Sequence, residues 1–356
     1  MIVAGGGTGG HLFPGMAVAE ALTAHGEAQV LFVGSAYGIE ATAVPKTPFR
    51  FEALAIRGLR GRGARGAIAF AWQLPVAVLR AWRILGAFRP SLVLGLGGYG
   101  SAPVVLAAWL QRVPSILLEQ NARPGMANRV LAHLARRVCT AFDDANKFFP
   151  HGKAIVTGNP VRRLRSTLQP AGGHFTIFIF GGSQGAHTLN QAAIGAAQIL
   201  RTRLPEMRVM HQTGTAEVEW VAQQYKQLGV AAEVVAFVED MASAYARADL
   251  IVSRAGATTI AELTALGKPA ILIPYPFAAD DHQRANAEVL VQHGAAELIA
   301  DADLTGDGLA ERVLALAADR QQLEAMGAAA RQLAVDDATA RVVDVCRQAA
   351  AEEGGI

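Results

Sequence analysis

Short apolar runs that end in glycine alternate along the chain with longer segments of helical periodicity. The runs include IVAGGG near the N-terminus, QVLFVGS, LVLGLGGYGS, SILLEQN, FTIFIFGGSQG, VVAFVED, LIVSRAG and AILIPYP. Between the first two lies HLFPGMAVAEALTAHG, a helical pattern. Strands that turn on glycine and feed helices predict βαβ units in parallel sheets. The runs are uniformly apolar, which fits strands covered on both faces.

A near-repeat organises these units. IVAGGGTGGH at 2–11 and FIFGGSQGAH at 178–187 each combine an apolar strand, a glycine turn and a helix start, 176 residues apart. The expected fold class is therefore α/β with two doubly wound, Rossmann-like domains and a ligand cleft beyond the strands' carboxyl ends. The segment 163–173 lacks either periodicity and holds proline and glycines, so the linker is placed there.

One segment departs from the pattern. In RGARGAIAFAWQLPVAVLRAWRILGAFR, residues 67–79 are apolar apart from Gln73, Pro75 interrupts them, and arginines flank both sides. The run is too short and broken to span a bilayer. It reads either as a buried helix pair or as an apolar patch ringed by arginine that dips into a membrane surface.

With 356 residues, 52% apolar and 17% charged, the chain fits two globular domains that need no disulfide or metal staple. Cys139 and Cys346 each fall in a helical pattern, far apart, so neither a disulfide framework nor a zinc site is expected. No basic n-region precedes the first apolar run, and a cytoplasmic location is expected. The net charge of +2 hides an asymmetry: residues 1–160 carry 16 Lys and Arg against 7 Asp and Glu, and the remainder 16 against 23. Such a field favours an anionic partner. Without an aromatic RNA-binding signature or zinc finger, a lipid surface ranks above nucleic acid.

The first turn, Gly5-Gly6-Gly7-Thr8-Gly9-Gly10, satisfies GxGxxG by spelling. A dinucleotide site also requires an acid at the end of the second strand, and none follows Gly34-Ser35 until Glu40. That counts against NAD. His11, directly after the turn, is a candidate general base or a structural helix-start residue. On the second turn, Ser183 and Gln184 offer a hydroxyl and an amide at a helix start suited to a diphosphate. In Ser253-Arg-Ala-Gly-Ala-Thr-Thr-Ile-Ala-Glu262, Thr259 and Glu262 read as a capping box, or Glu262 as the acceptor of both ribose hydroxyls. Asp280-Asp281-His282 and Asp301-Ala-Asp303 are rejected as metal sites, because adjacent residues diverge and Asp303 can start a helix.

Taken in order, GGGTGGHLFPG, LGLGGYGS, LLEQNARPG, GNPVR, FGGSQGAHTLNQ, DMASAYARADLIVSRAGATTIAEL and DDHQRANA closely resemble the MurG family of N-acetylglucosaminyltransferases, which convert lipid I to lipid II in peptidoglycan synthesis. The resemblance implies a GT-B fold. Residues 1–162 would form the acceptor and membrane-docking domain and 163–337 the UDP-GlcNAc domain, with a C-terminal helix at about 338–356 a candidate to pack back on the first. By motif match, Thr8, Gly9 and Gly10 would touch the sugar nucleotide, Asn121 the GlcNAc, Arg162 the donor and Ser183 the diphosphate. Val238 would meet the uracil through its backbone. Ala257, Thr258, Thr259, Ile260, Ala261 and Glu262 would hold diphosphate and ribose, and Gln283 the sugar hydroxyls.

The reaction so implied is an inverting hexosyl transfer with no cofactor and no metal. His11 is the expected base and Glu119 the runner-up. Trp72, Leu79 and Trp82 with Arg80 and Arg83 are expected to dock on the anionic cytoplasmic face of the inner membrane, where lipid I presents its pyrophosphate. Other cell-wall synthesis proteins are further candidate partners, and nucleic acid is not. The rival readings are another GT-B transferase, a UDP-GlcNAc epimerase, a nicotinamide oxidoreductase and a noncatalytic membrane scaffold.

Overall fold

A computed structural model describes residues 1–24, 26, 28–58, 63–161 and 173–352, with side chains in the helix Gly63–Phe88 from residue 72 onward. The chain divides into two compact units, Met1–Arg162 together with Val335–Ile356, and Arg163–Ala334. The proposed linker lies outside the described residues apart from Gly173.

In the first unit, strands β1 (Ile2–Ala4), β2 (Leu31–Ser35), β3 (Arg50–Leu54), β4 (Val93–Gly95), β5 (Ser115–Glu119), β6 (Arg137–Thr140) and β7 (Ala154–Val156) form a parallel sheet in the order β3-β2-β1-β4-β5-β6-β7. Alternate residues of β1 enter opposite cores. Val3 packs with the helices Gly9–Ala24 and Ala338–Ala351, while Ile2 and Ala4 join the layer under Gly63–Phe88 and Ala102–Leu110. Coverage of both faces explains why no polar position interrupts the strand.

The second unit repeats the plan with β8 (Thr176–Phe180), β9 (Arg208–Gln212), β10 (Ala231–Val235), β11 (Leu250–Ser253), β12 (Ala270–Leu272) and β13 (Ala296–Leu298), in the order β10-β9-β8-β11-β12-β13. β1 and β8 hold the same place in their sheets. Each lies where strand order reverses, so each glycine turn opens at a topological switch point, the usual ligand position of such sheets.

Three expectations need correction. Pro75 does not split its segment, since Gly63–Phe88 is one continuous helix. Ala77, Ala81 and Leu85, at helical spacing, bury one stripe, while Trp72 and Leu79 remain 78% and 64% exposed. Cys139 lies in β6 rather than a helix, because its short apolar run has strand length; with Cys346 it is a free thiol in the same buried core. Asp303 ends a short turn, and the cap of the helix Gly306–Ala318 is Thr305, whose hydroxyl accepts from the Gly308 amide at 3.1 Å.

Candidate active site

In the first unit the turn after β1 meets the turn after β4. A Cβ on Gly5 would lie 2.7 Å from the Gly97 carbonyl oxygen, and one on Gly98 3.1 Å from that of Gly6. Only glycine permits this approach, and Gly5, Gly6 and Gly7 also carry positive φ of 110°, 143° and 86°. Thr8, exposed at the tip, makes a 2.8 Å hydrogen bond between its hydroxyl and His11 Nδ1. His11 stands in the first turn of Gly9–Ala24, beside Gly97. The hydroxyl therefore fixes the imidazole's orientation.

Glu119 ends β5 as a buried carboxylate. Oε1 accepts from the Asn121 backbone and side-chain amides at 3.0 and 3.1 Å, and Oε2 from Asn128 Nδ2 and the Gly125 amide at 3.0 and 3.3 Å. Burial pushes its carboxyl up, opposed by those donors, the Asn121 amide foremost. Four donors occupy the lone pairs a base would use, and they shape the loop that carries Asn121 and buried Asn128.

In the second unit the turn Gly181–Ala186 is pressed against the loop after β9. A Cβ on Gly185 would fall 1.8 Å from the Thr213 carbonyl oxygen. Ser183 is exposed on this turn, ahead of the helix His187–Arg203. Gln212, which the sequence reading passed over, ties the turn to Val238: its Nε2 donates to the Gly182 carbonyl at 2.9 Å and its Oε1 accepts from the Val238 amide at 2.8 Å. The Val238 N–H is thereby engaged. A pocket of about 230 Å³ lies between β10 and the helix Met241–Arg247, with Phe237, Val238 and Asp240 among its lining residues.

The helix Ala257–Leu266 begins directly after the turn that follows β11. Thr258 Oγ1 is buried there and has no hydrogen-bond partner. The capping-box reading is corrected: the N-cap is Gly256, without a side-chain cap, so Thr259 and Glu262 lie inside the helix. Glu262 instead accepts from the buried Tyr245 hydroxyl at 2.9 Å, and burial lifts its carboxyl to about 7. Ala257 and Ile260 are buried, whereas Thr259 and Ala261 are half-buried.

Arg254, also missed, holds this region from beneath. It pairs with Asp301 at 2.5 Å and donates to Thr188 Oγ1 at 3.0 Å and to the Ile273 and Pro274 carbonyls at 3.2 Å. Asp301 is thus a partner for arginine. Gln283 lies in the first turn of His282–Gln292 and its Oε1 accepts from the Tyr275 amide at 2.9 Å. Among the described residues no group of His, Cys, Asp and Glu is arranged to hold a metal. Arg162 lies outside the described residues.

Two parallel α/β sheets, each with a glycine turn at its switch point, give the chain the GT-B fold found in glycosyltransferases. Residues 1–140 match the glycosyltransferase family 28 N-terminal domain, and residues 176–342 its C-terminal domain. A UDP-N-acetylglucosamine--N-acetylmuramyl-(pentapeptide) pyrophosphoryl-undecaprenol N-acetylglucosamine transferase of Anaeromyxobacter sp. (strain K) is 44% identical over 353 residues, covering 98% of this chain and 92% of that one. Its namesake in Myxococcus xanthus is 45% identical over 353 residues, covering 97% and 92%. The crystal structure of Acinetobacter baumannii MurG aligns with a TM-score of 0.80 at 34% identity over 98% of both chains. The calicheamicin glycosyltransferase CalG4, at 15% identity and a TM-score of 0.72 over 98% and 97%, shares the fold. The chain belongs to the MurG family.

Proposed function

We infer that this chain transfers N-acetylglucosamine from UDP-GlcNAc to the muramoyl hydroxyl of undecaprenyl-pyrophosphoryl-MurNAc-pentapeptide, lipid I, giving lipid II and UDP in peptidoglycan synthesis. Identity of 44–45% over nearly the whole chain with relatives named for that reaction carries the choice of substrates.

Residues 163–337 hold the donor. The start of Ala257–Leu266 and the exposed Ser183 receive the diphosphate, and the unpartnered Thr258 hydroxyl supports that role. A helix N-terminus favours the negative charge that grows on UDP as it leaves. Glu262 accepts the ribose hydroxyls. With the Val238 N–H bonded to Gln212, the Val238 carbonyl is the backbone group for uracil. Gln283, its oxygen engaged by Tyr275, offers its NH₂ to sugar hydroxyls. Arg162 completes the donor contacts, as Thr8, Gly9, Gly10 and Asn121 do on the sugar.

Residues 1–162 take the acceptor. The muramoyl oxygen attacks the anomeric carbon and forms the new C–O bond. The bond to UDP breaks with its electron pair, His11 takes the hydroxyl proton, and this single displacement inverts the centre. Thr8 orients the imidazole for that transfer.

No described helix is long and apolar enough to cross a membrane. Trp72, Leu79 and Trp82 are exposed on Gly63–Phe88 beside exposed Arg80 and Arg83, a composition suited to an anionic membrane surface. Gln111 Nε2 donates to the Trp82 carbonyl at 2.8 Å, bringing exposed Trp109 and Leu110 near the patch. The enzyme is assigned to the cytoplasmic face of the inner membrane, as a peripheral protein.

The test is incubation of labelled UDP-GlcNAc with a short-chain lipid I analogue. Disaccharide product is expected; its absence with folded protein overturns the reading.

A further inference from the structure

We propose that Glu40 is a positioning residue for the acceptor-side turn, setting the place of Thr8 and, through it, of His11. The inference rests on the reading of His11 as base.

Glu40 begins the short helix Glu40–Ala43 after β2 and is 1% exposed. Its carboxylate turns back beneath the first glycine loop. Oε2 accepts from the Gly7 amide at 2.7 Å and Oε1 from the Ser35 amide at 2.9 Å. The surrounding backbone is cut away for it: a Cβ on Gly6, Gly34 or Gly38 would lie 2.6, 2.8 or 2.2 Å from its side chain. One buried group thus ties the end of β2 to the turn after β1. Gly7 precedes Thr8, whose hydroxyl meets His11 Nδ1 at 2.8 Å. A shift of the Gly7 peptide moves Thr8 with it.

The same geometry assigns the loop its ligand chemistry. The Gly7 N–H points inward to a carboxylate, so it is withheld from any ligand outside. A buried negative charge behind the turn opposes a phosphate there and leaves neutral sugar hydroxyls as the fitting guests. In a dinucleotide site the acid ends the second strand and reaches out to the ribose; here it comes five residues after Ser35 and reaches inward.

Glu40→Gln tests this, because the amide nearly preserves volume but sets an NH₂ against one of the two backbone N–H groups. With UDP-GlcNAc and a short-chain lipid I analogue, kcat is expected to fall about tenfold or more, as displaced catalytic groups do, with the affinity for UDP itself within about twofold. In a His11→Ala background the same substitution is expected to change kcat less than about twofold. Gly38→Ala presses on the carboxylate from outside the glycine turn and is expected to reproduce the split. Retention of UDP binding shows that the second unit is folded. Wild-type kcat in both variants overturns the proposal, as does an equal loss with and without His11. If His11→Ala itself turns over normally, the base assignment falls and takes this route with it, leaving the transferase reading in place.

Discussion

The Tyr245 hydroxyl donates to Glu262 Oε2 at 2.9 Å from a fully buried position, and Glu262 nevertheless sits near 7 because its own burial outweighs that bond. A carboxylate that accepts two ribose hydroxyls must be ionised. UDP-GlcNAc, whose diphosphate diester keeps its charge across this range, is therefore expected to bind up to about tenfold more weakly at pH 6 than at pH 8. Isothermal titration at pH 6, 7 and 8 checks this, and Glu262→Gln is expected to flatten the dependence. The free protein should move oppositely. Between the ordinary value of 4.5 and about 7 the folded chain holds a proton that the unfolded chain has released, so this group's contribution to stability falls as pH rises through that window.

Arg254 and Asp301 form a buried ion pair within the second unit, their side chains 10% and 13% exposed. Arg254→Ala leaves Asp301 without its charge partner and two carbonyls without their donor. Loss of one member of such a pair costs about 3–5 kcal/mol. The melting transition of the variant is expected to fall accordingly. Arg254→Lys should recover little, because an ammonium does not reproduce the guanidinium fork that reaches Asp301, Thr188 and the carbonyls together. A wild-type melting temperature in Arg254→Ala would remove the residue from this role.

What the sequence disclosed follows from period and punctuation. Strands covered on both faces leave long apolar runs, and positive φ at close approach demands glycine, so both switch-point turns were legible in IVAGGG and FIFGGSQG. The buried polar supports were not. Glu40 was noticed for its absence from the end of β2, yet nothing local to it says that its carboxylate turns back beneath Gly7. Gln212, Arg254 and Tyr245 act through partners 17 to 66 residues away, a distance that no motif spacing encodes. At Thr259 and Glu262 the local spelling pointed to a cap, but Gly256 had already opened the helix one turn earlier, freeing Glu262 for Tyr245.

Membrane docking can be separated into charge and apolar area. Trp72 and Trp82 to Ser should abolish the insertion component, while Arg80 and Arg83 to Gln should lower affinity for anionic vesicles alone. Each basic residue near such a surface contributes about 1 kcal/mol, so the double arginine change predicts roughly a 30-fold weaker partition, shrinking as salt rises. Sedimentation with vesicles of graded phosphatidylserine or phosphatidylglycerol content measures both. Undiminished binding by the combined variant would place the docking surface elsewhere.

His11 bears the chemical step in the proposed mechanism, and Thr8 Oγ1 at 2.8 Å from Nδ1 gives that assignment its own control. General-base catalysis contributes about 10²–10⁴-fold. His11→Ala is expected to lower kcat within that range with UDP affinity unchanged, since the groups assigned to the UDP moiety, from Arg162 to Glu262, lie outside the first glycine turn. Thr8→Val removes the hydroxyl and keeps nearly the same volume, so it should cost less than His11→Ala. Combined with His11→Ala it should cost almost nothing further if Thr8 acts by orienting the ring. Thr8 was also expected to touch the sugar nucleotide, and that role predicts a different result: a rise in KM for UDP-GlcNAc that persists in the His11→Ala background. Steady-state kinetics on the four proteins of this cycle separate orientation from contact, and turnover by His11→Ala at the wild-type rate would dismiss the histidine as base.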